Sequence, residues 1–487
     1  MLTDGATITD SDKFSPAFNS QNALIVLSGN SEIHANTIFL HEYGNTNTVL
    51  DVGTGSKVYS TGVFHVSASQ NSGYEKPGYH RIDVHDAGSL LQVGGDLDVG
   101  QRSSYNVVRI RDWANLKVTG SVSMGSGWVV SDHHAVEILN MATATVNKVA
   151  LTRQDNRLTV SNAVLTATEI FIGDSSRNQG GNIVEVLDGA KATAGTTTFR
   201  TCGNSLLISN ATYTIGASIS LGNAATVTGN VIKVAGPTAV FTYAGNVFDK
   251  GWNNTFELAD GAAWRLGGAN MQAMMNGGSN NVLRVTRGAV LDNTSDPADD
   301  SNFWLNYENQ TWENNTLEVL DGATARFERL FVHGVGTKIV VSNATLQASA
   351  TGGYGIWLGR SGSGQKLIVQ GATPRVILNE YKSSAGSTLR FEVPAEGYAA
   401  GHVPVTARVL NPANTATEKF EIDCAAWAAN PRAEPRLVLM NCTNAISSAN
   451  AAWIVAQNPG LPENVRLRVI GGEVVLSKPR GTTIIMR

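Results

Sequence analysis

Residues 315–325, NTLEVLDGATA, recur along the chain in altered copies, and this repetition constrains the fold more than any other feature. NIVEVLDGAKA (182–192) and NTFELADGAAW (254–264) have the same frame: an Asn, an apolar residue four later, an Asp two after that, then Gly-Ala. A second form reads NRLTVSNAVL (156–165), NSLLISNATY (204–213) and TKIVVSNATL (337–346). Anchored on the central apolar residue, fourteen copies run from Val26 through Val186 and Val319 to Val369. Their mean spacing is about 26 residues, inside the ~20–50 range that marks solenoids and arrays.

The unit is built from strands. Leu317-Glu318-Val319 and Leu158-Thr159-Val160 alternate in polarity, so one face points in and the other out. A polar turn follows, as at Asp188-Gly189, Asp321-Gly322 and Asn162-Ala163. A second strand ends in Gly in LDVG (97–100), VSMG (122–125), IFIG (170–173), ISLG (219–222) and IWLG (356–359). Only ANMQAMM (269–275) has a helical look. The expected fold is therefore all-β: a single-stranded parallel solenoid of about fourteen coils. Leucine-rich repeats share the period but need a different leucine frame and a helical return, and a propeller needs about four strands per 40–45 residues.

Two polar columns accompany the anchors. The position four before is Asn in nine of fourteen copies, and the position two after is Asp or Asn in nine of fourteen. Turn formation explains both, and stacking aligns them into ladders in which one amide bonds the next coil. Loss of Asn182 or Asn204 should then cost about 1 kcal/mol. Residues 1–20 are read as an N-terminal cap or leader remnant and 21–373 as the repeats. Residues 374–487, richer in proline, continue and cap the solenoid, with RLRVIGGEVVLSK (466–478) as a hairpin.

Charge narrows the partners. The net charge is −4 and the basic residues are scattered, which argues against nucleic acid. No stretch approaches the ~20 apolar residues of a membrane helix. MLTDGATITD shows no signal peptide, and the reading adopted is a start after a removed leader, hence an extracellular or cell-surface location. Cys424 and Cys442 are candidates for a disulfide, and no CxxC pattern points to zinc.

These repeats resemble those of bacterial secreted right-handed parallel β-helices, which include autotransporter passenger-like proteins and the wider pectin-lyase-like superfamily. The resemblance spans roughly residues 20–400. It implies a right-handed coil and either an adhesive surface protein or a polysaccharide lyase or hydrolase. The enzymes carry acid pairs, His-Gly and Arg-x-Lys elements on one face. Here Asp299-Asp300 and His333-Gly334 are the near matches, and the Arg-x-Lys element is missing.

The longest insertion, LDNTSDPADDSNFWLNYENQTWENN (291–315), is the best place for chemistry. Asp299, Asp300 and His333 are its candidate catalytic residues. Trp304, Tyr307 and Trp312 are candidate glycan-binding rings, with Trp252 and Trp264 in the coils just before. Asp292, Asp296 and Asp299 are candidate calcium ligands, although the stretch matches neither the EF-hand nor the calcium-solenoid pattern. Carboxylates beside flat rings are what a glycan site requires. The histidines His65, His80, His85, His133 and His134 read as loop and surface residues. The expectation is a secreted or cell-surface structural and adhesive rod that contacts glycans, with polysaccharide, a host or cell-surface protein, or further copies of itself as partners. The alternative is a carbohydrate-active enzyme with its site near 291–315.

Overall fold

The computed structural model describes residues 1–16, 21–40, 46–67, 76–101, 103–126, 131–174, 179–222, 224, 226–243, 251–265, 278–294, 302–306, 312–349 and 355–478. The chain forms two compact units, Met1–Ala244 with Lys250–Asn254, and Gly245–Asp249 with Thr255–Arg487. Each is a parallel β-solenoid.

In the first unit, nine short strands stack among the described residues, from Leu24–Leu27 through Arg157–Ser161 and Ile183–Leu187 to Val231–Ala235. Each pairs in parallel and in register with the next coil, as in Leu158↔Val184↔Leu206↔Ile232 and Val160↔Val186↔Ile208↔Val234. All eight of these side chains are at most 1% exposed. A second stack is made of longer strands such as Thr143–Leu151, Val164–Ile172 and Lys191–Phe199. The second unit repeats the plan. Among the described residues its seven short strands run from Thr255–Ala259 to Lys419–Asp423, so the coils continue well beyond Val369. The only helices among the described residues are Ala425–Ala429 and Ser448–Ala456. The helix-like piece at 269–275 lies outside them.

The anchor series holds except at its first member. Leu27, not Val26, pairs with Val52, and Val26 faces Asp51 on the outer side. A one-residue slip moves every side chain to the other face, and here the sequence offers apolar residues at both positions. All nine residues of the column two after the anchor, from Asp86 to Asn343, have φ between 48° and 71°. They are the left-handed turn residues that Asp and Asn supply cheaply.

The column four before the anchor does more. The backbone N–H of Asn156 donates to Asn182 Oδ1 (3.1 Å), Asn182 to Asn204 (3.0 Å), Asn204 to Asn230 (2.9 Å) and Asn230 to Asn254 (2.8 Å). The second unit has the same rung from Asn281 to Asn315 (2.7 Å). Two histidines belong to this ladder, which corrects their reading as surface residues. The Thr48 N–H donates to His80 Nδ1 and the Asn106 N–H to His134 Nδ1, both at 3.2 Å. His80 and His134 are 0% and 1% exposed. Each ring takes the place of an Asn amide because its unprotonated nitrogen is an acceptor at similar reach.

The ends are finished differently. The first long strand, Thr7–Phe14, has a register shift between Asp10 and Lys13, and Asp10 lies opposite the inward Ala35. A bulge and an inward charge both discourage further pairing. At the last short strand, Asn458 substitutes for another coil. Its Oδ1 accepts from Ile422 N–H (3.1 Å) and its Nδ2 donates to the Phe420 carbonyl (2.8 Å). The expected hairpin forms from Arg466–Ile470 and Glu473–Ser477 around Gly471-Gly472. Cys424 and Cys442 are buried free thiols, not a disulfide, and burial raises both to about 11.

Two outcomes follow. Asn204→Ala leaves the buried Asn182 N–H without its acceptor and should lower stability by about 1–3 kcal/mol in urea unfolding. Burial holds His134 down to about 3 against an ordinary 6.5. The unfolded chain therefore takes up the proton first, and this contribution is complete above pH 6.5 and lost as pH falls toward 3. At about 1.4 kcal/mol per unit, the unfolding midpoint should drop steeply between pH 7 and pH 4. His134→Asn should flatten that drop, and an unchanged slope would exclude the histidine as its source.

Candidate functional site

The insertion that the sequence singles out is only partly described. Asp296, Asp299, Asp300 and Tyr307 lie outside the described residues, as does most of the 69–81 insertion. Asp292 accepts hydrogen bonds from Thr294 N (3.0 Å) and Oγ1 (2.6 Å) and lies 3.4 Å from Arg326 Nη1. Trp312 is half-buried, and its carbonyl accepts from Val335 N–H. Trp264 is a core residue stacked on Phe256, while Trp252 is 42% exposed. Among the described residues no three His, Cys, Asp or Glu side chains are grouped to hold a metal ion, and no helix is long and apolar enough to cross a membrane.

Trp304 and His333 do come together. Trp304 stacks on His333 with centroids 5.0 Å apart and on Phe331 at 4.6 Å, and its exposure is only 6%. His333 Nδ1 is 2.7 Å from Ser361 Oγ. Burial and the nearby Arg360 charge hold this imidazole down to about 4, so it is neutral at pH 7. Trp304 therefore belongs to a covered ring cluster and does not present an open sugar platform.

A second constellation, in the first unit, had only its histidine noticed in the sequence. The residue just before each ladder position turns the corner with positive φ. In successive coils it is Asn47, Tyr79, Tyr105, His133, Asp155, Gly181, Gly203, Gly229 and Asn253. Asn, Asp and Gly tolerate that backbone; bulky aromatic residues there are outliers that cost ~1–2 kcal/mol each. Tyr79 and Tyr105 stack at 5.2 Å, and Tyr105 and His133 at 4.8 Å. The two tyrosines are 53% and 41% exposed. His133 is held between Asp132 (3.2 Å) and Asp155 (3.7 Å). Aligning the column preceding the ladder would have revealed three rings among small turn residues.

Behind this edge lies a buried polar group that resembles hydrolase machinery but is wired otherwise. His134 Nε2 is 2.9 Å from Ser131 Oγ, the distance of a nucleophile and its base. Yet His134 Nδ1 accepts the Asn106 N–H, so the ring proton resides on Nε2 and is donated to Ser131. Ser131 Oγ in turn donates to the Gly100 carbonyl. A nitrogen that already carries a proton cannot remove one from serine. Burial pushes the Asp132 carboxyl up, but hydrogen bonds from Ser104 (2.5 Å) and from His133 hold it below its ordinary value. The group positions the corner and does not activate a nucleophile.

Compared against known protein families and against curated proteins, the sequence finds no match.

The corner strain has a measurable consequence. Tyr105→Gly relieves ~1–2 kcal/mol of left-handed backbone cost, which offsets the ~0.5–1.5 kcal/mol of lost stacking. Its urea midpoint should equal or exceed that of the parent. A loss above 2 kcal/mol would make the ring a packing element.

Proposed function

We propose that the protein is a secreted or cell-surface structural and adhesive solenoid, without catalysis of its own. It would hold a polysaccharide or a cell-surface protein through the Tyr79–Tyr105–His133 edge. One observation carries this reading: Tyr79 and Tyr105, in consecutive coils, hold exposed rings on backbone that disfavours them, and His133 of the next coil stacks on Tyr105. Strain of this kind persists where function requires it. Tyrosine suits such an edge, since it offers a rigid apolar body with a polar tip at low entropic cost. Because the rings lie face to face with one another, they present edges, two phenol hydroxyls and an imidazole to a partner. Hydrogen bonding at coil spacing is the mode of contact this favours, along a chain lying parallel to the stack.

The sequence resemblance to bacterial secreted passengers supports an extracellular setting and an adhesive role. The carbohydrate-active alternative depends on Asp299 and Asp300, which are outside the described residues. A calcium site would depend on Asp292 with Asp296 and Asp299.

The test is a glycan-array and whole-cell adhesion assay run beside a reducing-end release assay, with and without calcium. The parent should bind without releasing product. Tyr79→Ala/Tyr105→Ala should bind at least tenfold more weakly while melting normally. Product release, or full adhesion by the double variant, would overturn the proposal.

A further inference from the structure

The second unit carries an outward column unlike its neighbours. Its register runs Trp304↔Phe331↔Trp357↔Lys382 over four successive coils. The residues on either side of each ring, such as Leu330 and Val332 or Ile356 and Leu358, point inward and are buried. The column therefore lies on the outer face of the coil wall, yet Trp304 and Phe331 are 6% and 5% exposed, and Trp357 is half-buried. Part of this cover is a cation. The Arg360 guanidinium lies 5.0 Å from the Trp304 ring centroid and 5.2 Å from those of Phe331 and Trp357. Lys382 Nζ is 3.7 Å from the centroid of Trp357.

The surrounding contacts fix this arrangement. Trp357 Nε1 donates to Ser384 Oγ (3.1 Å), which sets the indole plane. His333 packs against Trp304 and stays neutral, so it adds no third charge. The Arg360 guanidinium carries its N–H donors in a planar fork that matches an oxyanion. Arg360 is exposed and makes no ion pair among the described residues. Both cations lie beside Trp357, so an anion at that indole meets positive charge from each.

We infer that Trp357, Arg360 and Lys382 form a binding site for an acidic saccharide. The sugar's carboxylate or sulfate would lie against the two cations and its C–H face against the open part of Trp357. The site shares the contact-rod reading but lies on other residues than the tyrosine edge, so either can fail alone. The chain's net charge of −4 means that polyanion binding here would be local and not a bulk effect.

Dextran, carboxymethyl-dextran and dextran sulfate share one backbone and separate the charge from the sugar. Their binding to the full chain would be measured by surface plasmon resonance at fixed salt. The parent should bind at least one acidic polymer tenfold or more above plain dextran, and the preferred polymer identifies the acid. Arg360→Ala should lose at least tenfold. Arg360→Lys should fall between, since it keeps the charge and loses the planar fork. Arg408→Ala, an exposed arginine hydrogen-bonded to Asn379, should bind as the parent does. The inference is overturned if plain dextran binds as well, if no polymer binds, if Arg360→Ala binds undiminished while folded, or if the Arg408 variant loses as much.

Discussion

A hydrogen bond from the backbone N–H of one coil to a side chain of the next underlies the rest of the structure. At the corner before each short strand the N–H turns inward, away from water, and an unpaired group there would cost about 1–3 kcal/mol. The residue four before the anchor supplies the acceptor, from Asn156 to Asn254 in the first unit and at Asn315 in the second. An otherwise apolar interior is thereby obliged to keep one polar position per coil. Farther along the second unit the position stays buried and polar as Thr337, Gln365, Ser387 and Glu418. There the bonding is rearranged: Thr337 accepts from Asn306, and Glu418 from Asn414.

The same bond decides what the buried histidines can do. An imidazole serves as a rung only with Nδ1 bare, which commits the proton to Nε2. His134 is a structural acceptor for that reason, although its distance to Ser131 would suit a catalytic pair. Geometry without the tautomer would have assigned it the opposite role.

Much of this was legible in the sequence because periodic stacking converts spacing into contact. The apolar columns, the left-handed Asp and Asn turns and the closing hairpin follow from counting along the repeats. What escaped the reading had a physical cause in each case. Val26 and Leu27 are both apolar, so polarity alone could not fix the register. His80 and His134 share the ladder with asparagine through an acceptor atom and not through residue type. Tyr79 and Tyr105 occupy a corner whose backbone geometry is invisible without the aligned column. Trp304, a candidate glycan-binding ring in the sequence, is covered by rings and a guanidinium from later coils, which its place in the insertion does not reveal.

The ladder also has a direction. Every rung described runs from a donor in the earlier coil to an acceptor about one repeat later in the sequence. A chain emerging amino end first thus always carries one unanswered donor at its growing front, and only the next coil to emerge can answer it. Order is handed forward along the polypeptide, so the chain is matched to the sequence of its own synthesis. A coil deleted from the middle would be replaced in this role by its successor, whereas a chain cut short would expose its last rung to water.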